Sequence, residues 1–477
     1  MLHPDRLLPA DPAVRTIART LYEQAAGAPL VCPHGHCEAS WFVDDIPFPD
    51  ATDLLITPDH YVLRMLASQG VSYEALGVPR ADGSRAAVDP REVFRLFASH
   101  YHLFAGTPSR VWLDHALGHV LGVSEPLTDA TADQVFDHVN AQLASPAFRP
   151  RALYQAFNIE VLATTDNATD TLDAHAALKA QGFGRIVPTF RPDALTDPLR
   201  DDFAPSMAKL AGQTGEDVTR WRGFLTALRV RRAVFAGLGG TATDHGVIAP
   251  ATADLDAAQC QTLLDKAHAG TITAGEAALF QAQMLTEMAA MSVEDGLVMQ
   301  IHAGSRRNYA PSVFGRYGRD KGFDMPGPVG WADGLKPMLD RHGFEPNLRL
   351  VLYTLDETAY ARELAPLAGA FPTILLGAPW WFFDSPEGIR RYRRQVTETA
   401  GFYNTAGFVD DTRAFLSIPA RHDMARRIDA GCLATLVAEH QIDMKEAGML
   451  MDELATGLAR RAYRLGQPSA EPQRQSA

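Results

Sequence analysis

The sequence feature that most constrains the fold is a series of short apolar runs alternating with amphipathic helical stretches. Eight runs have the length of β-strands, at 29–32, 159–164, 185–189, 234–239, 297–302, 348–353, 373–376 and 407–409. Strand-length runs that alternate with helices predict parallel βα units. Eight such units favour an α/β fold of the closed (β/α)8 type, a TIM-type barrel, over an open sheet.

The stretch between the first two runs is too long for an ordinary βα connection. Residues 38–157 have helical patterning and no convincing strand, so we expect a large helical insertion after the first strand. Residues 12–27 predict a helix that leads into the first strand. We therefore expect one barrel domain over 1–477 with the insertion as a subdomain, and a disordered polar tail over 468–477.

Charge and cysteine content exclude several classes of protein. Lys and Arg total 44 against 57 Asp and Glu, which gives a net charge of −13. An acidic chain is a poor candidate for non-specific nucleic-acid binding. We see no signal peptide and no membrane-spanning run, and four sparse cysteines suit the cytoplasm. The sequence leaves open whether the chain forms a homo-oligomer.

The first run is followed by Pro33-His34-Gly35-His36. In a strand, His34 and His36 would point the same way, and paired imidazoles are a natural chelate for a divalent metal such as zinc. Two histidines in a polar loop are the alternative. Cys32 and Cys37 flank the pair, and we expect neither to be a ligand, since Cys32 suits core packing and Cys37 has the opposite strand parity to the histidines.

The far end of the chain supports the metal interpretation. In a closed barrel the last strand lies beside the first, which brings Asp411 next to His34 and His36. Two imidazoles and one carboxylate with an open position form a catalytic type of zinc site, so we expect one Zn²⁺ per chain. A turn or helix-capping role is the alternative for Asp411, while Asp410 should face the other way.

Charged side chains follow other runs and should face the same mouth of the barrel. Arg191 and Arg413 can each hold a carboxylate or an enediolate oxygen, although a surface salt bridge is the alternative for either. Asp244 and His245 suggest an acid–base pair, with His302 at the next strand end. A structural Asp–His hydrogen bond is the alternative there.

An aromatic pair follows the seventh run. Trp380 and Trp381 should point in opposite directions, one to the mouth and one to the barrel wall, where core packing is the alternative role. In the insertion, Asp59 predicts a helix start, and without further information His60 and Tyr61 would be ordinary surface residues.

Taken together in chain order, these features resemble the amidohydrolase superfamily and, within it, the uronate isomerase family. The motifs that carry the resemblance are Asp59-His60-Tyr61, Trp112-Leu113-Asp114-His115, Thr164-Thr165-Asp166, Arg191-Pro192-Asp193, His302-Ala303-Gly304 with Arg307, Trp380-Trp381-Phe382 and Asp411-Thr412-Arg413-Ala414-Phe415 with Arg421-His422. They extend from about residue 10 to 465. Cys37 and Gly377-Ala378-Pro379 depart from the usual pattern without touching the residues expected to carry the chemistry.

The resemblance implies an isomerase that interconverts D-glucuronate with D-fructuronate and D-galacturonate with D-tagaturonate by proton transfer through an enediol. It implies metal ligation by His34, His36 and Asp411, catalytic roles for Tyr61, Asp244, Asp411 and Arg413, and substrate binding by His60, Arg191, His302, Arg307, Trp381 and Arg413. Tyr61 is the candidate base at C2, its pKa lowered by nearby cations, with Asp244 as a second proton carrier.

Two other functions compete with this interpretation. A metal-dependent hydrolase on the same barrel would usually need a Lys or Glu after the fourth strand, but no Lys lies between Lys209 and Lys266 and no Glu between Glu216 and Glu276. A non-catalytic sugar-binding protein is the second alternative, and it would need no group of titratable side chains.

Overall fold

The protein is described by a computed structural model covering residues 2–466. The predicted tail at 468–477 lies outside the described residues. The described chain forms a (β/α)8 barrel, as the sequence predicts, with helices between successive strands. Within these residues, no helix is long and apolar enough to cross a membrane.

The described chain has eleven strands, nine of which run parallel in chain order and form the barrel wall. The strands are β1 (Leu30–Cys32), β2 (Ile159–Ala163), β3 (Asp166–Asn167), β4 (Ile186–Val187), β5 (Phe190–Arg191), β6 (Ala242–Val247), β7 (Val298–Ala303), β8 (Ser305–Arg306), β9 (Met325–Pro326), β10 (Leu350–Thr354) and β11 (Ile374–Leu376). β2 and β3 are two pieces of the second barrel strand, and β4 and β5 of the third. β8 and β9 pair antiparallel outside the barrel wall.

The eighth barrel position is an extended segment with little strand hydrogen bonding. Its pairing with β11 is a bridge between Leu376 and Thr405. On its other side, the amide of His36 donates to the carbonyl of Thr412 over 3.0 Å, which joins the last segment to the first. The predicted strand at 407–409 therefore occupies the expected place without forming a regular ladder.

The predicted fourth strand is wrong in position. Residues 234–239 belong mostly to helix α12 (Trp221–Gly237), and the strand is β6, which begins at Ala242. Of this run only Phe235 is buried, whereas Val234 and Ala236 are exposed, and the run is too short for its period to distinguish a helix from a strand. Gly239 and Gly240 follow the helix; Gly239 has a positive φ, and a Cβ on Gly240 would meet the carbonyl oxygen of Pro188 at 2.5 Å.

Helices cover the barrel and form the region between β1 and β2. The α-helices are α1 (Pro12–Ala26), α2 (Ala39–Asp44), α3 (Ala51–Leu55), α4 (His60–Ala67), α5 (Pro90–Ser99), α6 (Pro108–His115), α7 (Ala132–Leu143), α8 (Pro150–Ala156), α9 (Asp173–Gln181), α10 (Asp193–Thr196), α11 (Phe203–Thr214), α12 (Trp221–Gly237), α13 (Ala257–His268), α14 (Ala274–Asp295), α15 (Pro311–Tyr317), α16 (Ala332–His342), α17 (Ala365–Ala370), α18 (Pro386–Ala400), α19 (Ile418–Ala438), α20 (Met444–Asp452) and α21 (Leu458–Ala462).

Two apolar layers hold this arrangement together. Val31, Val161, Val298 and Val351 point into the barrel, where they pack as one buried cluster. The opposite faces of the strands pack against the helices, as shown by Cys32, which is buried against α19. Burial of both faces explains why the strands are continuous apolar runs.

Candidate active site

A cavity of about 520 Å³ opens at the carboxyl ends of the barrel strands. Barrels of this kind place their active sites at that end because the βα loops converge there. All of the side chains predicted for the site line the cavity, namely His34, His36, His60, Tyr61, Arg191, Asp244, His302, Arg307, Trp381, Asp411 and Arg413. The barrel thus brings together residues that are far apart in the chain.

One cluster in the cavity is formed by two histidines and one aspartate. His34 Nε2 lies 3.3 Å and His36 Nε2 3.0 Å from Oδ1 of Asp411. The potential ligand atoms all lie within 4.8 Å of one another, and two imidazole nitrogens with one carboxylate oxygen suit a divalent metal. The residues present therefore fit a metal ion.

The two histidines do not converge for the predicted reason. β1 ends at Cys32, so strand alternation does not apply to His34 or His36. The loop is instead held by its neighbours, since Thr165 Oγ1 donates to the carbonyl of Gly35 over 2.9 Å and the last barrel segment binds the amide of His36.

Asp411 and Asp410 face opposite sides of the last barrel segment, as predicted. Burial alone would raise the pKa of Asp411, but His34 and His36 lower it well below its usual value. The carboxylate is therefore ionised, which is the form in which a carboxylate can bind a metal. Asp410 points away from the cavity toward His422, with 3.4 Å between Oδ1 and Nε2. Cys32, Asp410 and His422 form another buried group with metal-ligand spacing.

Arg191 is held between two carboxylates at the mouth. Its Nε donates to Asp193 Oδ2 over 2.8 Å, and its Nη1 lies 3.3 Å from Asp244 Oδ2. Burial alone would lower the pKa of Arg191, but the two aspartates raise it overall. Gly246 leaves room for this group, since a Cβ there would meet Arg191 Nη2 at 2.8 Å.

Asp244 pairs with His302 rather than with its sequence neighbour. His302 Nδ1 lies 2.7 Å from Asp244 Oδ1 across adjacent strands, and both side chains are buried. His245 points to the other face of β6 and contacts Thr243 over 2.9 Å, so the predicted Asp244–His245 pair is wrong. His302 also stacks between His34 and Tyr353, with centroid distances of 4.7 and 4.2 Å.

The insertion contributes His60 and Tyr61 from the first turn of α4. Asp59 caps this helix by accepting from the amides of Tyr61 and Val62 at 2.8 and 3.3 Å. Burial lowers the pKa of His60 to about 3 and raises the pKa of Tyr61. The predicted lowering of the Tyr61 pKa is therefore wrong, because desolvation outweighs the effect of Arg421.

Two tryptophans and Arg307 form another part of the cavity wall. Trp380 and Trp381 both line the cavity, so the predicted division between mouth and barrel wall is wrong. A left-handed backbone at Trp381, with φ of 52°, removes the alternation expected of a strand. Trp381 packs against His60, and Arg307 lies over its ring at 5.3 Å.

Sequence reasoning missed several charged residues of the cavity. Asp324 accepts from Arg307 over 2.9 Å, and Asp320 lies 3.4 Å from Arg413. Both aspartates come from the segment between β8 and β9, which folds over the cavity. The only signal in the sequence was the glycine-flanked polar stretch 318–322, which indicates a loop but no particular contact.

Comparison with known proteins identifies close relatives. The glucuronate isomerase family model matches residues 13–462. A uronate isomerase from Xanthomonas campestris pv. campestris is 55% identical over 466 residues, which cover 98% of this chain and 99% of the relative. A uronate isomerase from Rhizorhabdus wittichii is 56% identical over 465 residues, covering 97% and 98% of the two chains.

Solved structures agree with these sequence relatives. The crystal structure of glucuronate isomerase from Caulobacter crescentus superposes with a TM-score of 0.97 at 51% identity, covering 99% of this chain and 98% of that one. Uronate isomerase from Thermotoga maritima gives a TM-score of 0.91 at 28% identity, covering 97% and 99%. The match extends over the barrel and the insertion alike.

Proposed function

The chain belongs to the glucuronate isomerase family, and from this premise we propose that it is a uronate isomerase. It interconverts D-glucuronate with D-fructuronate and D-galacturonate with D-tagaturonate. The observation that carries the proposal is the shared cavity, in which the His34–His36–Asp411 group faces arginines and acid–base groups from several strands. Such a set of side chains can bind an anionic sugar and move protons on it.

We propose that His34, His36 and Asp411 hold one divalent ion per chain, and that this ion is Zn²⁺. When bound, the ion would supply a Lewis-acidic positive charge for substrate oxygens. The single-ion proposal is supported by β6, the fourth barrel strand, which offers no Lys or Glu for a second ion.

The first task of the site is to open the pyranose ring. Ring opening needs a base at the anomeric hydroxyl and an acid at the ring oxygen. We assign the base role to Asp411, whose carboxylate is ionised. His60, Trp381 and Arg307 form one wall and are assigned to positioning the sugar, with the tryptophan ring offering a flat apolar surface.

The second task is transfer of a proton between C2 and C1 through a cis-enediol. We assign Tyr61 as the base at C2 and Asp244 as the second proton carrier, acting beside the substrate-binding His302. Arg191 and Arg413 are assigned to the substrate carboxylate and to the negative charge that develops on the enediolate oxygens. Because burial raises its pKa, Tyr61 enters the reaction as a neutral phenol. Donation of that proton to the ring oxygen during ring opening would leave the phenolate that takes the proton from C2.

The proposal is tested by NMR of the purified protein with D-glucuronate or D-galacturonate, with and without added Zn²⁺. The expected result is the signals of D-fructuronate and D-tagaturonate, with D-glucose as a matched neutral sugar that remains unchanged. Saturable binding of the uronates without any ketose product would instead indicate a sugar-binding protein.

We further propose that the enzyme works in the cytoplasm. The supporting observation is that all four cysteines are free, three of them buried. Thiols persist in reducing compartments.

A further inference from the structure

One buried ion pair at the cavity has no role in the chemistry described above. Arg421, from the first turn of α19, forms a salt bridge with Asp384 through Nη1 and Oδ2, and both side chains are almost completely buried. Arg421 is nevertheless one of the residues that line the cavity. A buried ion pair adds little net stability, because the loss of hydration offsets the attraction, so this pair calls for a functional explanation.

The guanidinium of Arg421 is held by the protein in one orientation. Its Cζ lies 3.5 Å from the centre of the Trp112 ring, and its Nε donates to Ser417 Oγ over 3.2 Å. Together with the bond to Asp384, these contacts occupy one face of the group and two of its three nitrogens. A charge that is fixed in this way acts on its surroundings without being ordered by a ligand.

The phenol of Tyr61 lies beside this guanidinium. The centre of its ring is 5.8 Å from Arg421 Cζ. The same Trp112 ring packs edge-on against Tyr61, with 5.5 Å between the ring centres. Trp112 therefore contacts both side chains and keeps the positive charge next to the phenol.

Arg421 acts on the phenol more strongly than any of the neighbouring carboxylates does. Burial raises the pKa of Tyr61, and Arg421 is the strongest opposing influence. Asp384, Asp411 and Asp59 reinforce the effect of burial, each by less than Arg421 opposes it. A phenolate formed during the reaction is therefore attracted by Arg421 more than it is repelled by any one of these carboxylates.

We propose that Arg421 is a positioning residue that stabilises the phenolate of Tyr61 during catalysis. The inference rests on the proposed function, in which the Tyr61 hydroxyl gives its proton to the ring oxygen and the resulting phenolate takes the proton from C2. Arg421 keeps its own protons and acts through Tyr61 rather than on the sugar. The physical basis is the 5.8 Å separation between the guanidinium and the phenol ring in a buried place, where charges are weakly screened.

A double-mutant cycle tests whether Arg421 acts through Tyr61. Arg421→Met should lower kcat for D-glucuronate about 10- to 100-fold and change its KM by no more than about three-fold. Arg421→Lys keeps a positive charge and should recover part of that loss. In the Tyr61→Phe background, Arg421→Met should lower the residual kcat by no more than about two-fold, because there is no phenolate to stabilise.

Arg393→Met is the matched control for the structural effect of losing a buried arginine. Arg393 pairs with Asp429 over 2.6 Å, both side chains are buried, and its Cζ lies 5.4 Å from the ring centre of Tyr392. This group resembles that of Arg421 but does not line the cavity. We expect both methionine variants to lower the Tm, and only Arg421→Met to lower kcat. If Arg421→Met does not fold, Arg421→Gln replaces it, since its amide can still donate a hydrogen bond.

A titration of the phenol gives a measurement that does not depend on activity. Tetrafluorotyrosine placed at position 61 has a far more acidic phenol than tyrosine, and fluorine NMR reports its ionisation. In the metal-loaded protein, we expect its acid dissociation constant to fall about ten-fold in Arg421→Met, because an opposite charge at this distance favours the ionised form. It should be unchanged in Arg393→Met.

The outcomes separate this inference from its alternatives. Equal losses of kcat for Arg421→Met in wild type and in the Tyr61→Phe background overturn it, as does an unchanged acid dissociation constant. A raised KM with unchanged kcat also overturns it, because Arg421 would then bind the sugar directly. If wild type does not isomerise D-glucuronate, the proposed function fails, while the fluorine titration still decides whether Arg421 stabilises the phenolate.

Discussion

His302 Nδ1 donates to Oδ1 of Asp244 over 2.7 Å, and this pair connects two neighbouring barrel strands beneath the cavity. Burial alone would raise the pKa of Asp244, but Arg191 and His302 lower it well below its usual value. The ionised carboxylate can only accept, so it fixes the proton of His302 on Nδ1. The buried Nε2 of His302 has no protein partner in the described structure.

Asp244→Asn should therefore impair catalysis without unfolding the protein. The amide can donate to Nδ1 and reverse the histidine tautomer, and it also removes the negative charge beside Arg191. We expect kcat/KM for D-glucuronate to fall by about two to four orders of magnitude. Steady-state kinetics and a thermal melt check this, with Asp201→Asn as an exposed control. A variant within two-fold of wild type would contradict the assignment.

Metal content should depend on the predicted ligands. Elemental analysis should find close to one divalent ion per chain, and His36→Ala or Asp411→Asn should lower that content, because each removes a ligand atom. Asp410→Asn is a matched control, since the neighbouring carboxylate faces His422 instead. Two ions per chain in wild type, or a full complement in His36→Ala, would argue against the single site.

The arginines at the mouth should matter far more than arginines outside it. Arg191→Met and Arg413→Met should each lower kcat/KM by about two to three orders of magnitude, because each removes a charged contact to a substrate anion. Arg394→Met, on the exposed side of α18, should stay near wild type. Similar losses at all three positions would show that the effects arise from general destabilisation.

Asp166 should make stability fall as pH rises. It lies below the mouth, where its carboxylate accepts from Thr164 Oγ1 over 2.6 Å, and burial raises its pKa to about 7. The folded state thus holds this proton more tightly than the unfolded state, in which the pKa is 3.8. The contribution of Asp166 to the free energy of unfolding decreases between about pH 4 and 7, by about 1.4 kcal/mol per unit of pKa shift.

Calorimetric melts of wild type and Asp166→Asn can isolate this contribution. At pH 5 both side chains are neutral in the folded state, and at pH 8 only wild type carries the buried charge. We expect the difference in Tm, variant minus wild type, to be larger at pH 8 than at pH 5. A constant difference between the two pH values would contradict the raised pKa.

The barrel was predictable because its strands are buried on both faces and therefore appear as apolar runs. Seven runs of the series lie at or beside strands of the barrel wall or its closing segment. The run at 234–239 failed because a helix buried on one side can show the same short apolar stretch. The polar residues that follow this run still indicated the site correctly, since Asp244 lines the cavity.

Sequence alone could predict which residues line the cavity where the residue type and its position after a strand both indicated a chemical role. The proximity of His34, His36 and Asp411 could be inferred because barrel closure brings them together. The hydrogen-bond partner of Asp244 could not be inferred, because its pairing with His302 depends on the register between two neighbouring strands. Nor could the position of Asp320, which depends on how the segment between β8 and β9 packs on α4.

The role of Tyr61 can be decided by following hydrogen between C2 and C1. In D2O, an enediol route with a base at C2 should place solvent deuterium in the product or the recovered substrate, whereas a hydride shift would not. If Tyr61 is that base, Tyr61→Phe should lose about two to four orders of magnitude in turnover. It should retain its metal, because Tyr61 is not among the proposed ligands His34, His36 and Asp411.

Metal content and fold serve as controls for Tyr61→Phe, since its ring packs against His60 and Trp112 and phenylalanine preserves both contacts. A loss of turnover with normal metal content would then come from the hydroxyl alone. Solvent exchange and turnover that both persist near wild-type rates would exclude Tyr61 as the base. The same exchange measurement on Asp244→Asn would then test the remaining candidate, whose low pKa keeps it ionised but makes it a weak base.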